Sequence, residues 1–122
     1  MRKIAQALII EKNHVLLVKQ HTQSGKIVWN FPGGGIEENE TPEEACLREI
    51  KEETGYTAQI QELLFKNTKK YTYVCEISGG NMYKESPDAD IEQIGWVSLD
   101  DQDKIDSKVK EILDVYNQKN VQ

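Results

Sequence analysis

The sequence predicts a single α+β domain over residues 1–122, in which a mixed β-sheet lies between helices in an α/β/α arrangement. Three observations support this fold class. Short apolar, β-branched segments of strand length recur along the chain, one segment has strong helix start and stop residues, and a late segment has apolar residues at helical spacing. Because strands and helices mix irregularly, with no repeat or linker, we expect neither a regular βα repeat nor two domains.

Six segments have the length and composition of β-strands. The first two, residues 4–10 and 14–19, flank a short polar turn and are expected to form a hairpin. A third strand over residues 27–31 ends at Pro32 and is followed by three glycines. The remaining strands are expected at residues 61–65, 71–77 and 91–97.

A helix is predicted over residues 42–54, and its ends are well defined by the sequence. Thr41 is a good N-cap residue, Pro42 occupies the first helical position, and Glu44 completes a capping box three residues after the cap. Gly55 supplies the stop. A second helix is expected over residues 107–118, where four apolar residues share one face: Val109, Ile112, Leu113 and Tyr116.

Composition limits the range of partners. The net charge of -6 disfavours binding to a long nucleic-acid backbone, which requires clustered Lys and Arg. The apolar run at residues 4–10 is too short to cross a membrane. Cys46 and Cys75 are expected to be buried free thiols rather than a disulfide, as in a reducing compartment. We therefore expect a cytoplasmic protein, either a monomer or a homodimer.

The helix over residues 42–54 carries an unusual set of acidic side chains. Glu49, Glu52 and Glu53 fall within an arc of roughly 100° on one face. Three carboxylates at this spacing repel one another, and a bound Mg²⁺ would explain their presence because it prefers oxygen ligands. The alternative is an ordinary solvated acidic face, which is common in a chain with 21 acidic residues.

Arg48 and the glycine run add to this pattern. Arg48 lies four residues before Glu52 and can hold a carboxylate in place through a charge-assisted hydrogen bond. The glycines at 33–35 allow the backbone to pass close to the helix and to offer carbonyls to a metal or amides to a phosphate. A flexible turn is the alternative interpretation of the glycines.

Together these residues resemble the complete Nudix box. The match consists of Gly34, five residues, Glu40, seven residues, Arg48-Glu49-Ile50, one residue, Glu52-Glu53, one residue, and Gly55-Tyr56. Tyr56 is aromatic where the family usually has an aliphatic residue. The preceding segment, residues 29–34, resembles the Trp-x-Phe-Pro-Gly-Gly sequence of MutT-type members, and the late strand with Trp96 also fits the family's fold.

The resemblance implies a Nudix fold and roles for individual residues. Glu52 and Glu53 would bind Mg²⁺, or Mn²⁺ as a substitute, beside the carbonyl of Gly33, and Glu49 would be a further ligand or the base that activates water. Arg48 would orient Glu49, and Glu40 would have a supporting role. A loop near the late tryptophan would supply one more carboxylate, for which the candidates are Asp90, Glu92 and Glu85.

Residues that contact the substrate are less well defined by the sequence. Gly34, Lys19, Trp29 and Phe31 are candidates. Aromatic residues in and beside strands more often belong to the core, and an exposed lysine is more often simply solvated. Both alternatives therefore stay open for these side chains.

The resemblance implies magnesium-dependent hydrolysis of a nucleoside diphosphate linked to another group. We expect a small MutT-type enzyme that converts a nucleoside triphosphate, normal or oxidised, to a monophosphate and pyrophosphate. ADP-ribose or a nucleotide sugar is the alternative substrate, although such relatives tend to have an added N-terminal segment. A non-catalytic nucleotide-binding module is less expected because every box glutamate is present.

Overall fold

The computed structural model describes residues 2–120, so Met1 and the last two residues of the expected domain lie outside the described part. Eight strands and two helices are present there, in the order β1 (Ile4–Leu8), β2 (Ile10–Glu11), β3 (His14–His21), β4 (Ile27–Asn30), β5 (Gly33–Gly35), α1 (Pro42–Thr54), β6 (Tyr56–Lys66), β7 (Lys70–Gly80), β8 (Ile91–Ser98) and α2 (Ser107–Lys119). The predicted α+β class is confirmed, and the bounds of α1 agree with the prediction at both ends.

The strands form two sheets. The first has the order β5-β1-β7-β6 and is mixed, because β1 is parallel to β7 and antiparallel to β5. In the second sheet, β3 lies between β4 and β8, and the short strand β2 also pairs with β3. The sequence did not separate these two sheets.

The predicted hairpin between residues 4–10 and 14–19 is wrong for most of its length. Only Ile10 and Glu11 pair with the following strand, opposite Val15 and His14, through a turn in which Lys12 and Asn13 both have positive φ. Positive φ at both central residues matches the twist of an antiparallel pair. The apolar run therefore divides near Ile9, and its first part joins the other sheet.

The three glycines form a strand rather than a flexible turn. Gly33, Gly34 and Gly35 pair with Gln6, Ala5 and Ile4 at the edge of the mixed sheet. A Cβ atom on Gly33 would lie 2.7 Å from Cα of Gln6, so a larger residue would push β5 away from β1. This close pairing places the glycine backbone beside the end of α1.

Helix α1 covers one face of the mixed sheet. Its capping box is formed, because the Thr41 hydroxyl accepts from the Glu44 amide at 3.1 Å and the Glu44 carboxylate accepts from the Thr41 amide at 2.9 Å. Gly55 ends the helix with φ of 89°. The buried face packs on small residues of β1 in one core cluster, which includes Ala5, Ala7, Ala45, Cys46 and Ile50.

Helix α2 belongs to a second core cluster on the opposite side of β1. Val109, Ile112 and Leu113 pack there with Leu8 and Phe31. Because β1 alternates between Ala5 and Ala7 on one side and Gln6 and Leu8 on the other, the mixed sheet separates the two helices. This layered arrangement agrees with the predicted α/β/α architecture.

Both cysteines are buried and free, as predicted, and their sulfur atoms are 3.8 Å apart. The pair joins α1 to β7 within the first core cluster. None of the helices within residues 2–120 has the length and apolar character needed to span a bilayer.

Candidate active site

Two glutamates of α1 lie against the glycine strand. Glu53 is only 4% exposed, and one of its carboxylate oxygens accepts a hydrogen bond from the Gly33 amide at 3.1 Å. A Cβ atom on Gly34 would lie 2.6 Å from the carboxyl carbon of Glu49 and closer still to one of its oxygens. Glycine at 34 thus leaves the space that the Glu49 carboxylate occupies.

Arg48 connects the acidic side chains on this side of the helix. Its Nε and Nη2 atoms donate to the two oxygens of Glu40 at 2.7 and 3.0 Å. Nη1 donates to Glu49 at 2.7 Å and to Glu52 at 3.2 Å, and Nη2 also donates to the carbonyl of Gly35 at 3.1 Å. The guanidinium therefore fixes three carboxylates relative to the glycine strand.

This network corrects one step of the sequence argument. The repulsion between Glu49 and Glu52 does not by itself require a bound dication, because Arg48 already supplies a positive charge to both. The charge of Arg48 is in turn stabilised by its acidic neighbours, Glu40 above all, which raise its pKa. Glu53 is the acid that this arginine does not reach.

Glu53 lacks a counter-charge from the chain. Within residues 2–120, no ion pair of 4.0 Å or less involves its carboxylate. Burial, together with the charges of Glu49 and Asp88, raises the pKa of Glu53 to about 8, against the effect of the Gly33 hydrogen bond. A buried carboxylate of this kind favours either a proton or a cation at neutral pH.

The other acids have different environments. Burial raises the pKa of Glu49 despite its contact with Arg48, whereas the hydrogen bond from Arg48 lowers the pKa of Glu40 to about 2. The Glu52 side chain is 58% exposed, compared with 13% for Glu49. In the described part of the chain, no three Asp, Glu, His or Cys side chains are grouped closely enough to enclose a metal ion, so the carboxylates form an open arrangement.

The loop between β7 and β8 supplies an acid that the sequence analysis did not name. Asp88 raises the pKa of Glu53 through its charge, and its side chain accepts a hydrogen bond from the Asp90 amide at 2.9 Å. Among the predicted candidates, Glu92 instead contacts Lys19 at 3.3 Å and His21 at 2.9 Å, and Glu85 is exposed. Asp often accepts a hydrogen bond from the amide two residues later in a turn, as Asp88 does here. This sequence pattern does not predict which acid of the loop acts on Glu53.

The predicted substrate contacts are separated by the fold. Phe31 is 4% exposed and belongs to the second core cluster, so it has little surface left to stack on a base. Trp29 packs partly against the same cluster, with the Lys104 ammonium 5.5 Å from its ring centre. Lys19 is engaged with Glu92. Gly34 alone of these four lies against the carboxylate cluster.

A polar cavity of about 340 Å³ opens on the α2 side of the mixed sheet. It begins at Gln6, which pairs with Gly33 of the glycine strand and donates a hydrogen bond to Thr72 at 3.0 Å. The same cavity includes Asn30, at the end of β4. Gln6 therefore joins this cavity to the glycine strand, whose Gly33 amide binds Glu53 on the other side of the sheet.

Comparison with known proteins identifies relatives of this arrangement. A family model described as "NUDIX domain" matches residues 1–116. A solved NUDIX hydrolase from Nitrosomonas europaea has the same fold, with a TM-score of 0.83 and 22% identity, over 97% of this chain and 89% of that chain.

Two curated relatives match a shorter segment. One is an ADP-ribose pyrophosphatase from Methanocaldococcus jannaschii, 49% identical over 57 residues, or 46% of this chain and 34% of that protein. The other is an 8-oxo-dGTP diphosphatase from Proteus vulgaris, 43% identical over 54 residues, or 43% of this chain and 48% of that protein. Matches to three further relatives cover between 29% and 62% of those proteins' lengths.

Proposed function

Because this chain belongs to the Nudix hydrolase family, we propose that it hydrolyses the pyrophosphate linkage of a nucleoside diphosphate derivative. The substrate that we propose first is a nucleoside triphosphate, normal or oxidised, which would yield a monophosphate and pyrophosphate. The observation that carries this proposal is the buried Glu53 carboxylate against the glycine strand. Residues 2–120 supply no counter-charge to it, and it lies beside a set of acids that Arg48 links.

The donor set fits Mg²⁺. Glu53, Glu49 and Glu52 offer carboxylate oxygens, which are hard ligands of the type that Mg²⁺ prefers, and an open arrangement suits an ion that retains water and binds substrate phosphates. We assign Glu53 and Glu52 as the main ligands, with Glu49 and the Gly33 carbonyl beside them, and Mn²⁺ as a substitute. When bound, the metal would neutralise the pyrophosphate charge and lower the pKa of water. The charge of the bound metal would also stabilise the ionised Glu53 carboxylate, which would then not need a proton.

Glu49 is the residue that we assign as general base. A carboxyl group whose pKa is raised by burial accepts a proton near neutral pH more readily than an ordinary glutamate does. Its oxygen would take a proton from the attacking water as the new bond to phosphorus forms and the bond to the leaving phosphate oxygen breaks. Arg48 and Glu40 would position Glu49, because the bidentate pair between them fixes the guanidinium that holds it.

The loop acid that we propose for the same site is Asp88, in place of Asp90, Glu92 and Glu85. Its charge acts on Glu53 in the folded protein, and the hydrogen bond to the Asp90 amide holds it in a turn. Glu92 is less suited because two basic side chains already bind it.

The cavity beside Gln6 would receive the part of the substrate beyond the reacting phosphates. The 8-oxo-dGTP diphosphatase among the relatives supports the triphosphate proposal. The ADP-ribose pyrophosphatase supports the alternative, in which the substrate is ADP-ribose or a nucleotide sugar. A binding module without catalysis is disfavoured because the box acids and Arg48 are all present and connected.

A screen in ¹⁸O-labelled water tests the reaction class and the substrate together. Purified protein with Mg²⁺ would be incubated with nucleoside triphosphates, oxidised nucleotides, ADP-ribose and nucleotide sugars, and products would be identified by mass spectrometry. We expect a monophosphate and pyrophosphate from a triphosphate, with ¹⁸O in one product only, and a loss of at least about 100-fold in Glu53→Gln. Turnover that is equal in Glu53→Gln, or absent for every substrate with the wild type, would refute the proposal.

A further inference from the structure

The polar cavity on the α2 side of the mixed sheet contains two lysines from different elements. Lys70 begins β7, and Lys108 lies in the first turn of α2. Five other polar residues line the same space: Gln6, Asn30, Asn67, Thr72 and Glu111. A positively charged cavity is notable in a chain with a net charge of -6.

Neither lysine has an acidic partner in the described part of the chain. The ion pairs of 4.0 Å or less found within residues 2–120 involve other basic residues, although Glu111 lies on the wall of the cavity. Lys70 is half-buried, and burial lowers its pKa, with a further contribution from the positive charge of Lys108. The two ammonium groups therefore repel each other, and within residues 2–120 Glu111 forms no ion pair of 4.0 Å or less with either of them.

The position of Lys108 adds to this electrostatic cost. Asp106 caps α2 by accepting from the amides of Lys108 and Val109, each at 3.0 Å. A lysine in the first turn lies at the positive end of the helix dipole, where cations are disfavoured. The Asp106 carboxylate offsets part of this dipole, so the positive potential at the cavity comes mainly from Lys70 and Lys108. An anion bound there would relieve the repulsion between these two ammonium groups.

The cavity is adjacent to the proposed catalytic centre. Gln6 lines it and pairs with Gly33, whose amide binds Glu53. Paired residues of adjacent antiparallel strands are about 5 Å apart. Glu53 lies on the α1 side of the mixed sheet and the lysines lie on the α2 side, but β5 is the edge strand of this sheet. A substrate whose pyrophosphate lies at Glu53 would therefore reach the lysines by passing around this edge.

Building on the proposed hydrolysis, we propose that Lys70 and Lys108 bind a phosphate group of the substrate other than the pyrophosphate linkage that is cleaved. The preferred substrates would then be nucleotides with an additional phosphate, such as a triphosphate or a phosphorylated nucleotide sugar, over otherwise identical compounds without it. Asn30, Asn67 and Thr72 would supply neutral hydrogen bonds around this group.

Binding is tested first, without turnover. Inorganic phosphate is titrated into ¹⁵N-labelled protein in metal-free buffer at constant ionic strength, with chloride as the reference anion, and amide shifts are followed by NMR. We expect saturable shifts at residues 67–72 and 106–109, and about tenfold weaker binding in Lys70→Gln and in Lys108→Gln. Lys110→Gln is the matched control, because it removes the same charge from the same helix outside the cavity. Absence of saturable shifts, or equal binding in the two cavity variants and Lys110→Gln, would overturn the proposal.

Kinetics then test the link to the substrate. ADP-ribose and its 2′-phosphate form a matched pair that differs by one phosphate. The wild type is expected to prefer the phosphorylated compound in kcat/KM. Lys70→Gln and Lys108→Gln are expected to lose that preference, whereas Lys110→Gln is expected to keep it. Phosphate binding without any such preference would overturn the substrate assignment. The NMR titration contains no metal, so it tests phosphate binding independently of hydrolysis. If the protein hydrolysed none of the substrates, the NMR result would be unchanged.

Discussion

Replacement of Gly34 by alanine tests whether the Glu49 carboxylate acts from the position that the fold gives it. The added Cβ would lie 2.6 Å from the Glu49 carboxyl carbon, whereas ordinary van der Waals contact begins at 3.4 Å. The carboxylate must therefore move by at least about 0.8 Å, because one of its oxygens lies closer to the added Cβ than the carboxyl carbon does. Because the end of a flexible side chain can move this far, the fold should be retained.

The substitution should reduce kcat strongly and change the free energy of unfolding only slightly. Displacement of a reacting group by about 1 Å can reduce turnover by about 100-fold, and Arg48 resists the movement through its 2.7 Å hydrogen bond to Glu49. We expect kcat to fall by about this factor, and the free energy of unfolding to change by less than about 1 kcal/mol. The assay is steady-state kinetics on the substrate found in the screen, with urea unfolding in parallel.

Gly79→Ala is the matched control. A Cβ atom on Gly79, in β7, would have no atom within 4 Å. The activity of Gly79→Ala should therefore equal that of the wild type. A Gly34→Ala protein with activity within twofold of this control would refute the assigned role of Glu49. If Gly34→Ala also loses stability in urea to a matching extent, unfolding rather than displacement of Glu49 would explain the loss of activity.

Three further outcomes are expected. In metal-free buffer, wild-type stability should fall as pH rises from about 4.5 to about 8, because the folded-state pKa of Glu53 is raised to about 8 and the unfolded chain releases its proton first; thermal melts of Glu53→Gln should lack this fall. Arg48→Lys should lower kcat by about 10- to 100-fold with a smaller change in KM, because lysine cannot donate to Glu40 and Glu49 in the same planar geometry. Glu40→Gln should remove stability that the wild type holds above pH 4.5 and loses towards pH 2, since Arg48 lowers the pKa of Glu40 to about 2; acid unfolding followed by circular dichroism measures this difference.

Local sequence information was sufficient for α1 and its acids. The capping residues Thr41 and Glu44 and the stop at Gly55 are decided within one turn of the helix, and all three behave as predicted. Helical spacing also brought Glu49 and Glu53 to one side. The close approach of Gly34 to Glu49 follows from the absence of a side chain, which the sequence displays directly.

Long-range pairing was not accessible in the same way. Residues 4–10 are nearly all apolar, so the segment can be covered on both faces and its alternation does not choose a partner. The parallel pairing of β1 with β7 joins residues more than 60 positions apart, and the division of the run near Ile9 depends on that pairing. Local turn chemistry explained only the short pairing of Ile10 and Glu11 with Val15 and His14.

The same limit applies within the site. Sequence spacing gave Arg48 one carboxylate partner, whereas the folded loop after β5 brings Glu40 back to form a bidentate pair. The effect of Asp88 on the pKa of Glu53 was not predicted, because several acids lie in one loop and only the fold shows which of them acts on Glu53. Phe31 was predicted as a candidate for stacking, and only the fold shows that it is buried in the second core cluster.

Binding of Mn²⁺, followed by electron paramagnetic resonance, tests most directly whether these acids hold a dication. Wild-type protein should bind Mn²⁺ saturably, Mg²⁺ should displace it, and Glu53→Gln should bind at least about tenfold more weakly, while Glu76→Gln, which removes a distant exposed acid of β7, should bind as the wild type does. Equal affinity in all three proteins would contradict the assignment of Glu53 as the metal-binding residue on which the proposed hydrolysis depends.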